Sequence, residues 1–170
     1  MVAWLTFKVF LDYLGKIMRL TRQTNYAVRI LMYCAATRGL SKVADIAEFY
    51  GISEAFLFKI LQALNGAGFL ETVRGRSGGI RLSRPADEIG LGEVIRAVEE
   101  NFAMAECFDG GPSNCPLVTS CGLNEALGRA LGAFFSVLDE YTIADLTNNR
   151  RNIHVLLQLE AGKDEPLLSS

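Results

Sequence analysis

Three of the chain's four cysteines lie within fifteen residues, in the stretch CFDGGPSNCPLVTSC from Cys107 to Cys121. Their spacing is Cys-x7-Cys-x5-Cys, with two glycines and two prolines in the stretch. This is not the Cys-x2-Cys of a zinc ribbon. Thiolates suit zinc and iron–sulfur clusters alike. The long spacings and the glycine-rich loop suit a cluster, whose several irons spread their ligands apart. Cys121 sits just before a segment patterned as a long helix, and the positive end of a helix favours a thiolate or an anionic cluster. Two rivals stand beside the cluster. One is a Cys3His zinc site completed by His154, the only histidine, 33 residues beyond Cys121. The other is a thiol-only redox switch. Cys34 falls on an apolar helical stripe and reads as core.

A second group of residues has nucleic-acid chemistry. Ala47, Gly51, Ile52 and Ser53 fit the corner of a helix-turn-helix. Ala47 is small enough for two helices to cross closely, and Gly51 can take the left-handed turn that a Cβ resists. Ile52 plugs the corner, and Ser53 caps the helix that would enter a major groove. On that helix Leu57, Ile60, Leu61 and Leu64 form the apolar face, while Ala55, Phe58, Lys59 and Gln62 point the other way. An outward Phe58 suits a thymine methyl or a partner surface, or else the rim of the core. Lys59 and Gln62 can read base edges. Downstream, Arg74-Gly75-Arg76-Ser77-Gly78-Gly79 is a turn whose two arginines can approach a phosphate or enter a narrow minor groove.

The elements that must position these groups follow from periodicity and punctuation. Residues 21–37 read as a helix with Ala27, Ile30, Leu31 and Cys34 on one face. Ser41 is expected to cap a second helix with Val43, Ile46 and Ala47 turned inward, ended by Gly51. The third helix runs from Ser53 to about Ala67, where Gly68 ends it. FLETVR and GIRLS read as two strands around the arginine turn, and Pro85 closes the unit. Residues 91–100 form a fourth helix. After the cysteines a long helix begins near Leu123, with Leu123, Ala126, Leu127, Ala130, Leu131, Phe134, Phe135 and Leu138 in a stripe. Thr142 caps a short last helix, and the tail frays.

The chain has 170 residues and a net charge of −2, unevenly spread. Residues 18–85 hold ten Lys/Arg against four Asp/Glu, and residues 86–170 hold five against fourteen. The basic first half suits a polyanion partner. No apolar run approaches the ~20 residues of a membrane span. Without an export signal the expected location is cytoplasmic, where clustered cysteines bind metal or sense redox state more often than they form structural disulfides. With one histidine and no paired acid–base or nucleophile motif, nothing reads as an active site. The expected domains are 1–17, a non-native or upstream-start extension, with a native amphipathic extension as the alternative; 18–85, a winged helix-turn-helix; 86–122, a linker helix and cysteine loop; 123–160, the long helix and a C-terminal helix; and 161–170, a flexible tail. The remaining function classes are a cluster-gated transcription factor, a zinc-stabilised DNA-binding protein and an iron–sulfur carrier or scaffold. A carrier has no need of a helix-turn-helix and wing.

MRLTRQTNYAVRIL, YGISEAFLFKILQALNGAGFLETVRGRSGGIRLSRP and the three cysteines before a long helix resemble the Rrf-type winged-helix iron–sulfur regulators over roughly residues 18–155. QTNYAVRILMYCA, FLFKILQ, NFAMAECF and CPLVTSCGLN are most similar to the rhizobial iron regulators of that family. The resemblance implies a mostly α fold: a winged helix-turn-helix DNA-binding domain with a small β-wing, plus a long dimerisation helix. It implies a homodimer that binds a double-stranded DNA operator and represses iron-uptake genes while holding a cluster on Cys107, Cys115 and Cys121. No membrane or small-molecule substrate is implied. The cluster would be of 4Fe–4S type, convertible to 3Fe–4S or 2Fe–2S. A nitric-oxide- or redox-sensing regulator of the same family is the alternative. Arg19, Arg22 and Tyr26 of the matching first segment, with Ser53, Arg76 and Ser77, join the candidate DNA contacts. In nitric-oxide-sensing members an aspartate of the other subunit's first helix completes the cluster. Here that position is Asn25, a poor iron ligand, which leaves the fourth corner open.

Overall fold

The computed structural model describes residues 20–37, 39–75, 78–102, 105, 115–116 and 121–148. Arg19, Arg76, Ser77, Cys107 and His154, the expected extension 1–17 and the tail 161–170 lie outside the described residues. Helix α1, Arg22–Thr37, is the centre of the fold. Its expected apolar face is fully inside: Ala27, Ile30 and Leu31 have no exposed surface, and Cys34 has almost none. Thr21 caps its start, accepting from the Thr24 N–H at 3.2 Å. Around that face pack α3 (Glu54–Gly66), α4 (Leu91–Val98), α6 (Ile143–Asn148) and β2 (Gly79–Leu82).

Helix α2, Val43–Tyr50, buries Ile46 and Ala47 as expected and ends at Gly51 with φ 60°. That left-handed turn is where glycine avoids the Cβ clash. Ser53 caps α3 by accepting the Phe56 N–H at 3.3 Å. Leu57, Ile60, Leu61 and Leu64 face inward.

Ser41 departs from the sequence expectation. It does not cap α2; that position falls to Lys42, whose side chain makes no capping bond. Ser41 is buried, and its N–H and carbonyl pair with Ile80 at 2.8 and 2.9 Å. Its hydroxyl lies 2.8 Å from that of Thr37. The chain there serves the wing strand, so its polar groups are already committed.

The wing is a two-stranded antiparallel sheet of β1, Leu70–Val73, and β2. Leu70 opposes Leu82, Glu71 opposes Arg81, Thr72 opposes Ile80 and Val73 opposes Gly79. Leu70 and Ile80 face the core, and Glu71 and Arg81 form an ion pair on the solvent side. A short 3-10 turn, Ala86–Glu88, follows Pro85.

Helix α4 stops at Val98, short of the expected residue 100, because Glu99 turns to extended backbone with ψ 126°. The long helix α5 is Gly122–Leu138, and none of its residues is buried. Of the expected stripe, Leu127, Leu131, Phe134, Phe135 and Leu138 are half-buried, whereas Leu123, Ala126 and Ala130 are exposed. A bidentate Arg96–Asp139 pair with N–O distances of 2.7 and 2.6 Å secures its C-terminal end. The Arg96 guanidinium also lies 4.2 Å from the centre of the Phe135 ring. Thr142 then caps α6: its hydroxyl accepts from the Asp145 N–H while the Asp145 carboxylate accepts from the Thr142 N–H and hydroxyl. Ile143 of this last helix is part of the core around α1.

The close approach of β2 to Ser41 gives a stability prediction. A Cβ added at Gly79 would stand 2.6 Å from the Ser41 carbonyl oxygen, which is backbone and cannot swing away. Gly79→Ala should cost about 1–3 kcal/mol in urea unfolding. Gly66→Ala, where a Cβ meets open space, should be neutral or slightly stabilising.

Candidate nucleic-acid interface and cysteine segment

Three elements carry exposed basic or base-reading groups. The outer face of α3 presents Ala55, Phe58, Lys59 and Gln62, all exposed. Phe58 is 55% exposed, so it is no rim residue of this core. An aromatic ring left in water by a helix whose other face is tightly packed is suited to an apolar contact outside the chain. Lys59 and Gln62 stand beside it with hydrogen-bonding groups suited to base edges. Ser53, at the head of the helix, accepts the Phe56 N–H with one lone pair of its hydroxyl oxygen and keeps its hydroxyl proton.

The wing turn places Arg74, exposed, at the exit of β1. Gly75 has φ 116°, and a Cβ on Gly78 would overlap the Val73 carbonyl. The turn is therefore shaped by glycine, which lets backbone approach a partner closely.

The third element was only partly legible beforehand. On α1, Arg22, Tyr26 and Arg29 follow one another at helical spacing beside the buried face: the two arginines are exposed, and Tyr26 is half-buried against the edge of the core. The Arg22 guanidinium lies 5.5 Å from the Tyr26 ring centre and 4.9 Å from that of Phe56. Arg29 lies 5.4 Å from the Tyr26 ring centre. Tyr26 meets Phe56 and Tyr50 edge to face, at 5.8 and 6.0 Å. The Tyr50 hydroxyl donates to the Arg29 carbonyl at 2.8 Å. Burial pushes the Tyr50 phenol well above its ordinary range, with Arg29 acting the other way, so it stays a donor at all working pH values. Among the described residues the ion pairs are Glu71–Arg81, Arg84–Glu93 and Arg96–Asp139. Arg22, Arg29, Lys59 and Arg74 take part in none of them. Arg29 was missed by sequence reasoning, although its spacing from Tyr26 and Arg22 was a readable signal. The part played by Phe56 had no such signal, since it comes from another helix.

The cysteines are less completely placed. Cys115 is exposed and Cys121 half-buried. Cys121 holds the N-cap position of α5, where its carbonyl accepts from the Glu125 N–H at 3.3 Å and its side chain makes no capping bond. Its sulfur thus stands at the positive end of a 17-residue helix, an environment that suits a thiolate ligand. A soft-metal or cluster donor set is chemically compatible with this placement. Among the described residues no group of three metal-ligating side chains converges, and Cys107 lies outside them. Asn25 is exposed in the first turn of α1, its N–H donating to the Thr21 carbonyl at 3.0 Å.

One contact joins the two regions. Glu99, at the exit of α4 toward the cysteines, accepts from the Thr21 N–H at 2.9 Å and from its hydroxyl at 3.2 Å. The cap of α1 is thereby tied to the start of the segment that leads to Cys107.

Residues 20–149 match the Rrf2 family, described as "Iron-dependent Transcriptional regulator". The chain is 62% identical to Protein aau3 of Rhizobium meliloti (strain 1021) over 144 residues, covering 84% of this chain and 94% of that protein. It is 43% identical to the HTH-type transcriptional regulator NsrR of Bacillus subtilis (strain 168), covering 84% of this chain and 99% of the relative. Among solved structures, the oxidised form of Staphylococcus aureus CymR superposes with a TM-score of 0.60 at 26% identity, over 76% of this chain and 96% of that one. No helix among the described residues is long and apolar enough to cross a membrane.

Cys34 differs from the other described cysteines in a way that can be measured. It is 3% exposed, and burial pushes its thiol up to about 12, only partly offset by the Ser41 hydroxyl. Alkylation of the native, metal-free protein at pH 8 should modify exposed Cys115 and spare Cys34 until denaturant is added. The same shift makes stability pH-dependent. Below the unfolded value of 9.0 the contribution is intact. As pH rises from there toward about 12, the unfolded thiol ionises and the folded one does not, so stability falls. Cys34→Ala should flatten that alkaline decline in urea titrations.

Proposed function

The chain belongs to the Rrf2 family of transcriptional regulators, which are not enzymes, and from that premise we propose an iron-responsive repressor whose hold on operator DNA is gated by an iron–sulfur cluster on Cys107, Cys115 and Cys121. The observation that carries the reading is the union, in one short chain, of a winged helix-turn-helix with three closely spaced thiols that end at the cap of a long helix. When bound, a cluster supplies a cross-link among three thiolates that scarce iron or an oxidant can remove. The chain's own residues do the rest. Phe58, Lys59 and Gln62 read base edges, while Arg74 and Arg76 of the wing and Arg19, Arg22 and Tyr26 of the first segment hold the backbone. The uncovered apolar face of α5 supports a homodimer paired along that helix, with the two recognition helices set by two-fold symmetry. Glu99 gives a route between the halves: order in the cysteine segment biases the seat of Thr21, and with it the exposed face of α1. A nitric-oxide- or redox-sensing regulator is the second reading, favoured by the exposed Cys115 and by the likeness to a relative solved in an oxidised form.

Anaerobic purification tests the reading. The full chain should be brown, with iron and sulfide in similar amounts. Cys107→Ala, Cys115→Ala or Cys121→Ala should bleach it, and Cys34→Ala should not. Colourless protein with stoichiometric zinc would favour a zinc-stabilised DNA-binding protein and sink the iron-sensing role. A duplex selected from a random library should bind the brown protein and release the bleached one. Lys59→Ala should weaken that complex by about 1–3 kcal/mol and relax its sequence preference.

The open fourth corner has its own test. Asp keeps the shape of Asn and adds the carboxylate that iron prefers. Asn25→Asp should slow the decay of cluster absorbance after addition of an iron chelator and prolong operator binding in the same samples. Equal decay in mutant and wild type would place Asn25 away from the ligand set.

A further inference from the structure

Arg22 and Arg29 are two cations with no carboxylate partner among the described residues, held against one tyrosine ring. Surface arginines without a function usually either pair with an acid or move freely in water. These two are restrained. The Arg22 guanidinium lies within cation–π range of both the Tyr26 and the Phe56 ring, and those rings meet each other edge to face. Arg29 rests on the same Tyr26 ring, and its backbone is tied by the Tyr50 hydroxyl. Cation–π contact restrains the two guanidinium groups near the rings while leaving N–H donors available, because the ring face meets the charge and takes up no hydrogen bond. Two like charges about two helical turns apart repel weakly until an anion lies beside them. Phe56 sits in the first turn of the helix that carries Phe58, Lys59 and Gln62, so the stack flanks the groove-reading face. A cation at the flank of a helix seated in a groove meets the nucleic-acid backbone, not base edges.

We propose that Arg22 and Arg29, mounted on Tyr26, form a two-guanidinium clamp for backbone phosphates of DNA, with Phe56 and Tyr50 as its positioning residues. The inference rests on the DNA-binding reading above and adds to it Arg29 and the aromatic mounting. The clamp sets affinity and register and is indifferent to sequence. Arg22 directly follows Thr21, whose N–H is tied to Glu99, so that end of the clamp is placed to respond to the cysteine segment.

The test uses the full chain purified without oxygen, with two probes: the selected operator and a duplex of arbitrary sequence, each titrated over a range of salt. Arg22→Ala and Arg29→Ala should each lower the slope of log affinity against log salt by about one. Each should weaken both duplexes by a similar factor. Arg29→Lys should keep the slope yet lose several-fold in affinity, because the ammonium keeps the charge and loses the guanidinium's planar fork of donors. Phe56→Leu should weaken binding in the wild-type background and add nothing in the Arg22→Ala background, the signature of a residue acting through its partner. Both arginines are exposed, so their alanine variants should melt like wild type. Wild-type slopes in both arginine variants, alongside weakened binding by Arg74→Ala, would overturn the clamp and leave the DNA-binding reading standing. A wild-type chain that binds neither duplex would overturn both.

Discussion

The structure depends on the burial of one face of α1. Ala27, Ile30 and Leu31 reach zero exposure because two helices on one side of the chain, a later helix and a wing strand all press on them. A helix buried so completely on one face cannot rotate about its axis, since each residue step turns the side chains by about 100°. The opposite face is therefore fixed as well. Asn25, Arg22, Tyr26 and Arg29 owe their positions to the aliphatic residues behind them. The same packing seats α3, whose inner leucines and isoleucine touch this core while its outer face remains available. The placement of these outer side chains is thus a by-product of the core, and the core tolerates no slip that would not move them too.

The turn between α2 and α3 works by a similar economy. Gly51 makes the left-handed bend, Ile52 fills the corner beneath it, and Ser53 satisfies a helix-end N–H. Each residue does one job, and the angle between the two helices follows from the three together. Phe58 and Leu123, 55% and 63% exposed, are the counterpart: large apolar groups that the fold leaves in water.

The helical order, the turn and the wing were legible in the sequence because each rests on local chemistry. Alternating apolar spacing, a capping serine and a glycine at a left-handed position act within a few residues. Ser41 was misread for the same reason. A serine before a helix is a good local cap, but the wing strand, forty residues on, claimed its backbone first. The end of α4 was misplaced because Glu99 turns to extended backbone, and its side chain is engaged by Thr21, a contact across 78 residues that no local pattern shows. In the site, the outward set on α3 could be read from periodicity alone. The mounting of Arg22 on Phe56 could not, because it joins two helices whose mutual placement no local pattern encodes. The stripe on α5 was read correctly as apolar, yet apolarity does not say whether its cover is this chain or another.

The attachment of α5 has a mechanical consequence. Among the described residues the helix is secured near its C-terminal end, by Arg96 gripping Asp139 and lying over Phe135. Cys121 stands at the opposite end, about 25 Å away along the axis. The helix is a lever arm with its fulcrum at the Arg96–Asp139 pair. A tilt of about 10° there would carry the Cys121 sulfur through about 4 Å, more than the length of a metal–thiolate bond. Whatever holds Cys121 in place therefore has large leverage over the angle at which the long helix leaves the DNA-reading unit.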